Sequence, residues 1–209
     1  MIVTDITEYN TRKVLVRLDG HLIFPLYKGE VKKYHIVCGE ELASEVCKEL
    51  LEEVLPKRVK LRAMGLLQKR SYTRESLKRK LMESRYPEGM VEAALDYVTA
   101  YRYLDDDRYV EEYIRCYRAT RSKRRILQEL YRKGINQETV ERVWRQFEED
   151  NEPTDETAQI MELIRKKGFD AAQADKKEIA KMMNYLYRKG YSSENIRRCI
   201  YMDDDFHEW

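Results

Sequence analysis

The chain has 209 residues, 37% of them charged, with only eight glycines and four prolines. That composition favours long solvated helices over a sheet-rich or low-complexity chain. Forty basic and thirty-eight acidic side chains nearly cancel, so no whole-molecule field argues for nucleic acid or an anionic membrane as partner.

At the N-terminus, Asp5 and Glu8 stand where a signal peptide needs a basic start and an apolar run, and nowhere do about eighteen apolar residues follow one another. A cytoplasmic protein without membrane contact is expected. Lys13-Val14-Leu15-Val16-Arg17-Leu18 and Leu22-Ile23-Phe24 flank Asp19-Gly20, the dipeptide that favours a type I′ hairpin turn. Ile2 to Ile6 alternates and can add a third strand, since an isolated hairpin is marginal in water. Glu30 to His35 and Glu41 to Val54 read as helices. Pro56, which removes a donor and restricts the residue before it, marks the expected division, giving an N-terminal β-hairpin and helix element over 1–56.

From there the chain repeats itself. Leu130-Tyr131-Arg132-Lys133-Gly134-Ile135 returns as Leu186-Tyr187-Arg188-Lys189-Gly190-Tyr191, and Val140 and Trp144 find counterparts in Ile196 and Ile200. A third copy lies upstream in Leu81, Tyr86, Val91 and Leu95, with Arg85 where the other two copies have glycine. Ile126, Leu127, Leu130 and Tyr131 make one helical stripe, which Gly134 ends as a left-handed cap. Val140, Val143, Trp144 and Phe147 make the stripe of a second helix. A further helix precedes each pair, as over Asp106 to Arg118 and Glu156 to Lys167. The fold expected is mainly α: three tandem three-helix units of helix-turn-helix type over 57–104, 105–150 and 151–209. Leu130, Val140, Trp144, Leu186, Ile196 and Ile200 belong to the core, not to a site.

Chemistry is sparse. The eight glycines are isolated, which leaves no phosphate-binding loop, and His21, His35 and His207 are dispersed. No Gly-x-Ser-x-Gly elbow occurs. Cys38, Cys47, Cys116 and Cys199 include no Cys-x-x-Cys pair and read as buried free thiols. Asp105-Asp106-Asp107 and Asp203-Asp204-Asp205 have ligand chemistry for a hard cation, yet the first triplet opens a helix, where aspartate caps free amides. No enzyme activity, metal or cofactor is expected.

Residues 59–104 carry ten basic and five acidic groups, 105–150 eleven of each, and 151–209 ten and twelve. Within the middle unit Arg115, Arg118, Arg121, Lys123, Arg124 and Arg125 follow one another with no acid between Ile114 and Glu129. That stretch is either a solvated helix end or a surface for an anionic partner, phosphate backbone or acidic protein face. Tyr109, Tyr113 and Tyr117 share one face of the preceding helix. Such a row packs a unit or stacks bases, and Tyr117 is nearest the basic residues.

Arg70 and Thr73 before Leu77, then Tyr103-Leu104-Asp105-Asp106 leading to Tyr109, then Glu129-Leu130-x-x-Lys133-Gly134-Ile135, together resemble the RecX family over roughly 59–200. Arg121-Ser122-Lys123, where a glycine turn is usual, and Arg85 depart from its pattern. The resemblance implies a non-catalytic, modular, monomeric protein that lies in the groove of the RecA filament on single-stranded DNA, bridges protomers and inhibits recombination and ATP hydrolysis, with direct contact to the single strand as a further option. Arg70, from the motif itself, joins the basic stretch and Tyr117 as a candidate contact. The competing readings are a free-standing helix-turn-helix DNA-binding protein, against which Glu138, Glu141, Glu148 and Glu149 in one second helix argue, and an inert helical scaffold.

Overall fold

A computed structural model describes residues 1–152 and 154–201. The chain is mainly helical with one small sheet, and it divides into two compact units, Met1–Asp105 and Asp106–Trp209.

In the first unit β1 (Val3–Glu8), β2 (Lys13–Leu18) and β3 (Leu22–Tyr27) form an antiparallel sheet in that order. Val14, Val16 and Leu18 alternate inward along β2, as the pleat requires of a half-buried strand. Asp19 and Gly20 both have positive φ, 47° and 75°, and the His21 amide donates to the Leu18 carbonyl at 3.1 Å. This is the type I′ corner that Asp-Gly favours. The first strand extends to Glu8, beyond the alternation seen in the sequence.

Helix α1 (Lys28–Lys33) ends just before His35, whose φ is 49°. A second helical run begins with α2 (Ser44–Lys48), continues as a π-helical turn over Glu49–Val54 and becomes α3 (Leu55–Leu67). The chain therefore passes through Pro56, where the sequence suggested a division, without leaving the helix. A proline's missing donor and bulky ring are tolerated where the hydrogen-bond pattern is already changing, as at a π-turn.

Helices α4 (Arg74–Met82) and α5 (Glu88–Ala100) complete this unit. Buried Thr73 caps α4, its hydroxyl accepting the Ser76 amide at 3.1 Å. Phe24 and Leu26 of β3, Leu50, Leu55 and Val59 of the long helical run, and Leu77, Leu81, Val91 and Leu95 share one core. Two polar ties reinforce it. The Tyr9 hydroxyl donates to the Glu83 carbonyl at 2.8 Å, and Arg58 pairs with Glu30 while lying 4.9 Å from the Tyr27 ring centre.

The second unit has two successive three-helix modules: α6 (Asp106–Tyr117), α7 (Lys123–Arg132) and α8 (Gln137–Asp150), then α9 (Glu156–Lys166), α10 (Lys176–Arg188) and α11 (Ser193–Tyr201). Their stripes close two cores. Ile126, Leu130, Val140, Trp144 and Phe147 fill one, and Ile160, Leu186, Tyr191, Ile196 and Ile200 fill the other. Ser122, Asn136, Asp155 and Asp175 each cap the helix that follows by accepting backbone amides, satisfying donors that a helix start leaves unpaired.

Each helix-turn-helix corner turns on a left-handed residue: Gly134 (φ 84°), Gly190 (φ 96°) and, in the first copy, Arg85 (φ 62°). The arginine thus adopts the conformation of the glycine it replaces. The two modules of the second unit meet at Ser122, whose hydroxyl donates to the Lys189 carbonyl at 2.9 Å while accepting the Arg125 amide at 3.3 Å. Gly190 leaves no room there, since a Cβ on it would lie 2.5 Å from the Ser122 Oγ. The serine that departs from a glycine turn is therefore a helix cap and a joint at once.

Two expectations change. Cys47 and Cys199 are buried, but Cys38 and Cys116 are exposed, because they sit on the solvent sides of a loop and of α6. Of the acidic triplets, Asp106 and Asp107 lie in the first turn of α6 and Asp107 accepts Arg142 at 2.7 Å, whereas Asp203-Asp204-Asp205 lies outside the described residues. Among the described residues no helix is long and apolar enough to cross a membrane, and no metal-ligating group gathers.

The glycine corners make a direct comparison possible. Gly168 also has positive φ (60°) but nothing within 4 Å of an added Cβ. Gly168→Ala should cost about 1 kcal/mol of backbone strain, whereas Gly190→Ala should cost about 2–3 kcal/mol, strain plus the displaced Ser122 hydrogen bond. Arg85→Gly should stabilise the first unit by up to about 1 kcal/mol. Urea unfolding midpoints of the three variants give the order, and equal losses at Gly168 and Gly190 would contradict the joint.

Candidate partner-binding surface

The basic stretch runs from the last turns of α6 into α7, and the structure gives each cation a different environment. Arg121 pairs with Glu129, lies 3.1 Å from the Tyr113 hydroxyl and stacks 3.7 Å above the Tyr117 ring centre. Arg125 reaches the same carboxylate at 3.1 Å. Arg118 donates to the Glu152 carbonyl and covers the Phe147 ring. Lys123 holds Glu148 at 2.9 Å beneath the Trp144 indole, and its amide donates to Glu156 at 2.8 Å. Arg118, Arg121 and Lys123 thus reach other parts of the second unit, whereas the Arg125 pair is an i,i+4 contact within α7.

Arg124 differs. It is exposed, lies 5.8 Å from the Tyr187 ring centre and has no carboxylate partner among the described residues. Arg115 is exposed and shares only an i,i+4 pair with Glu111, an interaction worth a few tenths of a kcal/mol, about 0.3–0.5, on a helix surface. Arg70 belongs to the first unit, just after α3, exposed and 4.4 Å from the Tyr72 ring centre. The eight candidates therefore have different surroundings. Arg118, Arg121, Lys123 and Tyr117 make contacts beyond their own helical turn, Arg115 and Arg125 share i,i+4 pairs, and Arg70 and Arg124 have no carboxylate partner among the described residues.

The tyrosine row packs. Tyr109 and Tyr113 stack at 6.2 Å, Tyr113 and Tyr117 tilt together at 4.5 Å, and all three lie against the core of their module. Burial, followed by the Glu129 carboxylate, pushes the Tyr113 hydroxyl up to about 12, so it remains a donor at any physiological pH.

Between the second and third modules lies a cleft of about 630 Å³, lined by Arg118, Lys123, Arg124, Trp144, Glu148 and Glu156 among others. The Trp144 indole nitrogen is buried there without a well-formed hydrogen bond. It is near enough to Glu148 to matter: burial raises that carboxyl, but Trp144 and Lys123 outweigh burial and hold it below the usual carboxylate range. The cleft has cations, carboxylates and hydroxyls without a nucleophile–base pair.

Sequence reasoning missed the acceptors. Glu129 stands one helical turn from Arg125 and was visible as an i,i+4 partner. Glu148, Glu152 and Phe147 come from the far side of the module and carried no local signal. Glu129 is the centre of the network: burial pushes its carboxyl up, yet bonds from Tyr113, Arg125 and Arg121 lower it below its ordinary value. A depressed folded-state value means that the group stabilises the fold above the ordinary carboxylate range and loses that contribution as pH falls through the lowered value. Glu129→Gln should cost about 1–3 kcal/mol at neutral pH and flatten the acid limb of stability against pH. Thermal melts between neutrality and acid, followed by Trp144 fluorescence, check both effects, and an unchanged acid limb would remove Glu129 from the account.

Comparison with known proteins agrees with this architecture. The family model described as "RecX, second three-helix domain" matches residues 105–143, and "RecX, third three-helix domain" matches residues 154–200. Regulatory protein RecX of Trichlorobacter lovleyi is 32% identical over 66% of this chain and 90% of its own length. That of Chromobacterium violaceum is 32% identical over 73% and 96%, and that of Caldanaerobacter subterraneus is 27% identical over 96% and 98%. A crystal structure of regulatory protein RecX superposes with a TM-score of 0.61 at 21% identity, covering 95% of this chain and 98% of the other. RecX from Lactobacillus salivarius superposes with 0.56 at 18% identity, covering 71% and 96%; at these identities both likenesses speak for the fold alone. With relatives above 30% identity aligned over nearly their whole length, the chain belongs to the RecX family of non-enzymatic regulatory proteins.

Proposed function

We propose that this chain acts in the cytoplasm as a monomer that binds the RecA filament on single-stranded DNA and restrains its recombinase and ATPase activity during DNA repair. Membership in the RecX family carries the reading, and the modular build supports it. A filament repeats its surface, so tandem modules of one shape can engage successive sites and gain avidity that no single module has. The near balance of forty basic and thirty-eight acidic residues suits a groove that offers both protein and phosphate, where interspersed charges fix register.

Arg70, Arg115 and Arg124 are the exposed arginines of the candidate set. Arg118, Arg121 and Lys123 already have partners within the second unit. A duplex-reading helix-turn-helix protein fits less well, because α8 carries Glu138, Glu141, Glu148 and Glu149, which a major-groove helix would avoid.

The reading is tested with purified chain and RecA filaments on single-stranded DNA. Binding at micromolar concentration with a fall in ATP hydrolysis is expected, and absence of both would overturn it. Replacing Arg70, Arg115 and Arg124 together by alanine should weaken filament binding about tenfold, 1.4 kcal/mol, with the melting temperature unchanged. Arg121→Ala should instead lower the melting temperature, since it leaves part-buried Glu129 one partner short.

A further inference from the structure

The second and third modules carry the same row of cations but treat it differently. Aligned on their shared Leu-Tyr-Arg-Lys-Gly segment, Lys177, Lys181 and Arg188 stand where Arg121, Arg125 and Arg132 stand one copy earlier. In the second module Glu129 takes two of the three. The equivalent position in the third module is Tyr185, whose ring faces Lys167 and Lys189 at 5.2 and 5.5 Å. The internal acceptor is gone, and the cations remain.

Lys177, Lys181 and Arg188 are all exposed, and among the described residues no ion pair involves any residue of α10 or α11. They follow one another at i, i+4 and i+11, one face of a helix, with successive rises that span about 16 Å in total. Tyr187, 51% exposed, sits at the end of this row with Arg124 above it. From Lys176 to Tyr201 the chain has seven basic and two acidic residues, against seven and six from Lys123 to Asp150. Glu178, the acid on α10, is occupied in capping the Asp175 amide at 3.0 Å.

Like charges at i, i+4 on an exposed helix face repel weakly and an anion laid over them is attracted, and an exposed aromatic beside guanidinium groups is a platform for a base. We propose that the outward face of α10, Lys177, Lys181, Arg188 and Tyr187 together with Arg124, is a direct binding site for single-stranded nucleic acid. The cations track the phosphate backbone and the tyrosine stacks a base. This deepens the filament reading, on which its biological sense rests, by making the strand itself a ligand of the third module. Its test needs no recombinase.

Fluorescence anisotropy of a labelled single-stranded oligothymidine, titrated with the full chain at roughly 50 mM salt and again at higher salt, reads the contact. Lys177→Gln/Lys181→Gln/Arg188→Gln should lose about tenfold or more in affinity and shed about two from the slope of log affinity against log salt, near 0.7 for each single-strand phosphate contact. Glutamine keeps the helix, and an unchanged melting curve shows the fold is intact. Tyr185→Glu removes no cation but restores the acceptor of the second module, and it should also weaken binding. Glu129→Tyr, its converse, should strengthen it.

No binding by the wild-type chain, or equal binding by the triple glutamine variant, overturns the proposal even if filament inhibition stands. If the triple variant keeps oligonucleotide affinity and loses filament binding, the face belongs to an acidic protein surface and the strand assignment is wrong. Strand binding without any effect on filaments would refute the filament reading while leaving this site in place.

Discussion

The fold depends on one backbone constraint repeated in each copy: the residue at the helix-turn-helix corner must take positive φ. Only then do the two amphipathic helices fold back so that their stripes meet. At Gly134 and Gly190 the corner amide donates to the carbonyl of Tyr131 and Tyr187 at 2.9 Å, and the next amide reaches back to Leu130 and Leu186 at 3.4 Å, the double closure of a Schellman motif. The residue after the corner then points inward. Ile135, Tyr191 and, after Arg85, Tyr86 are all buried, so each corner also supplies an apolar residue to its core.

Arg85 shows that this constraint outranks local preference. A non-glycine residue in the left-handed region costs about 1–2 kcal/mol, and the first copy still adopts it because Tyr86, Leu81, Val91 and Leu95 are buried in one core. That core is shared with the N-terminal sheet, so the first module has more apolar burial behind it than the other two. The strain is borne where packing is richest. The glycines stand in the modules that close smaller cores.

What the sequence made legible follows from range. The repeat, the helix stripes and the Asp19-Gly20 corner are local patterns of period or dihedral preference, and Leu130, Trp144, Leu186 and Ile200 are buried accordingly. The π-turn before Pro56 has no such signature, because it depends on how Leu50, Leu55 and Val59 meet a core built from residues far along the chain. The surroundings of the basic stretch were hidden for the same reason. Six cations in sixteen residues are visible in sequence, but the groups that engage them, Glu148 for Lys123 and Glu152 and Phe147 for Arg118, arrive only when α8 folds back. The charge balance of 151–209 concealed the opposite case, since Asp203-Asp204-Asp205 and Glu208 offset in the count a helix pair that has almost no acids of its own.

A tandem array can separate adhesion from recognition without changing its fold. One side chain at a fixed place in the copy, Glu129 or Tyr185, decides whether a row of cations closes inward on its own module or faces outward. With the carboxylate present, the arginines bind α6 to α7 through Tyr113 and contribute to stability. With tyrosine there, the same positions keep their charge for an external anion, and the module relies on its caps and apolar core. The joint at Ser122 and Gly190 then fixes how the inward module is placed against the outward one, and Arg124, without a carboxylate partner among the described residues, reaches across to the Tyr187 ring at the end of the outward row. A paired row in one copy beside an unpaired row in its neighbour lets a chain of near-zero net charge keep a locally cationic surface.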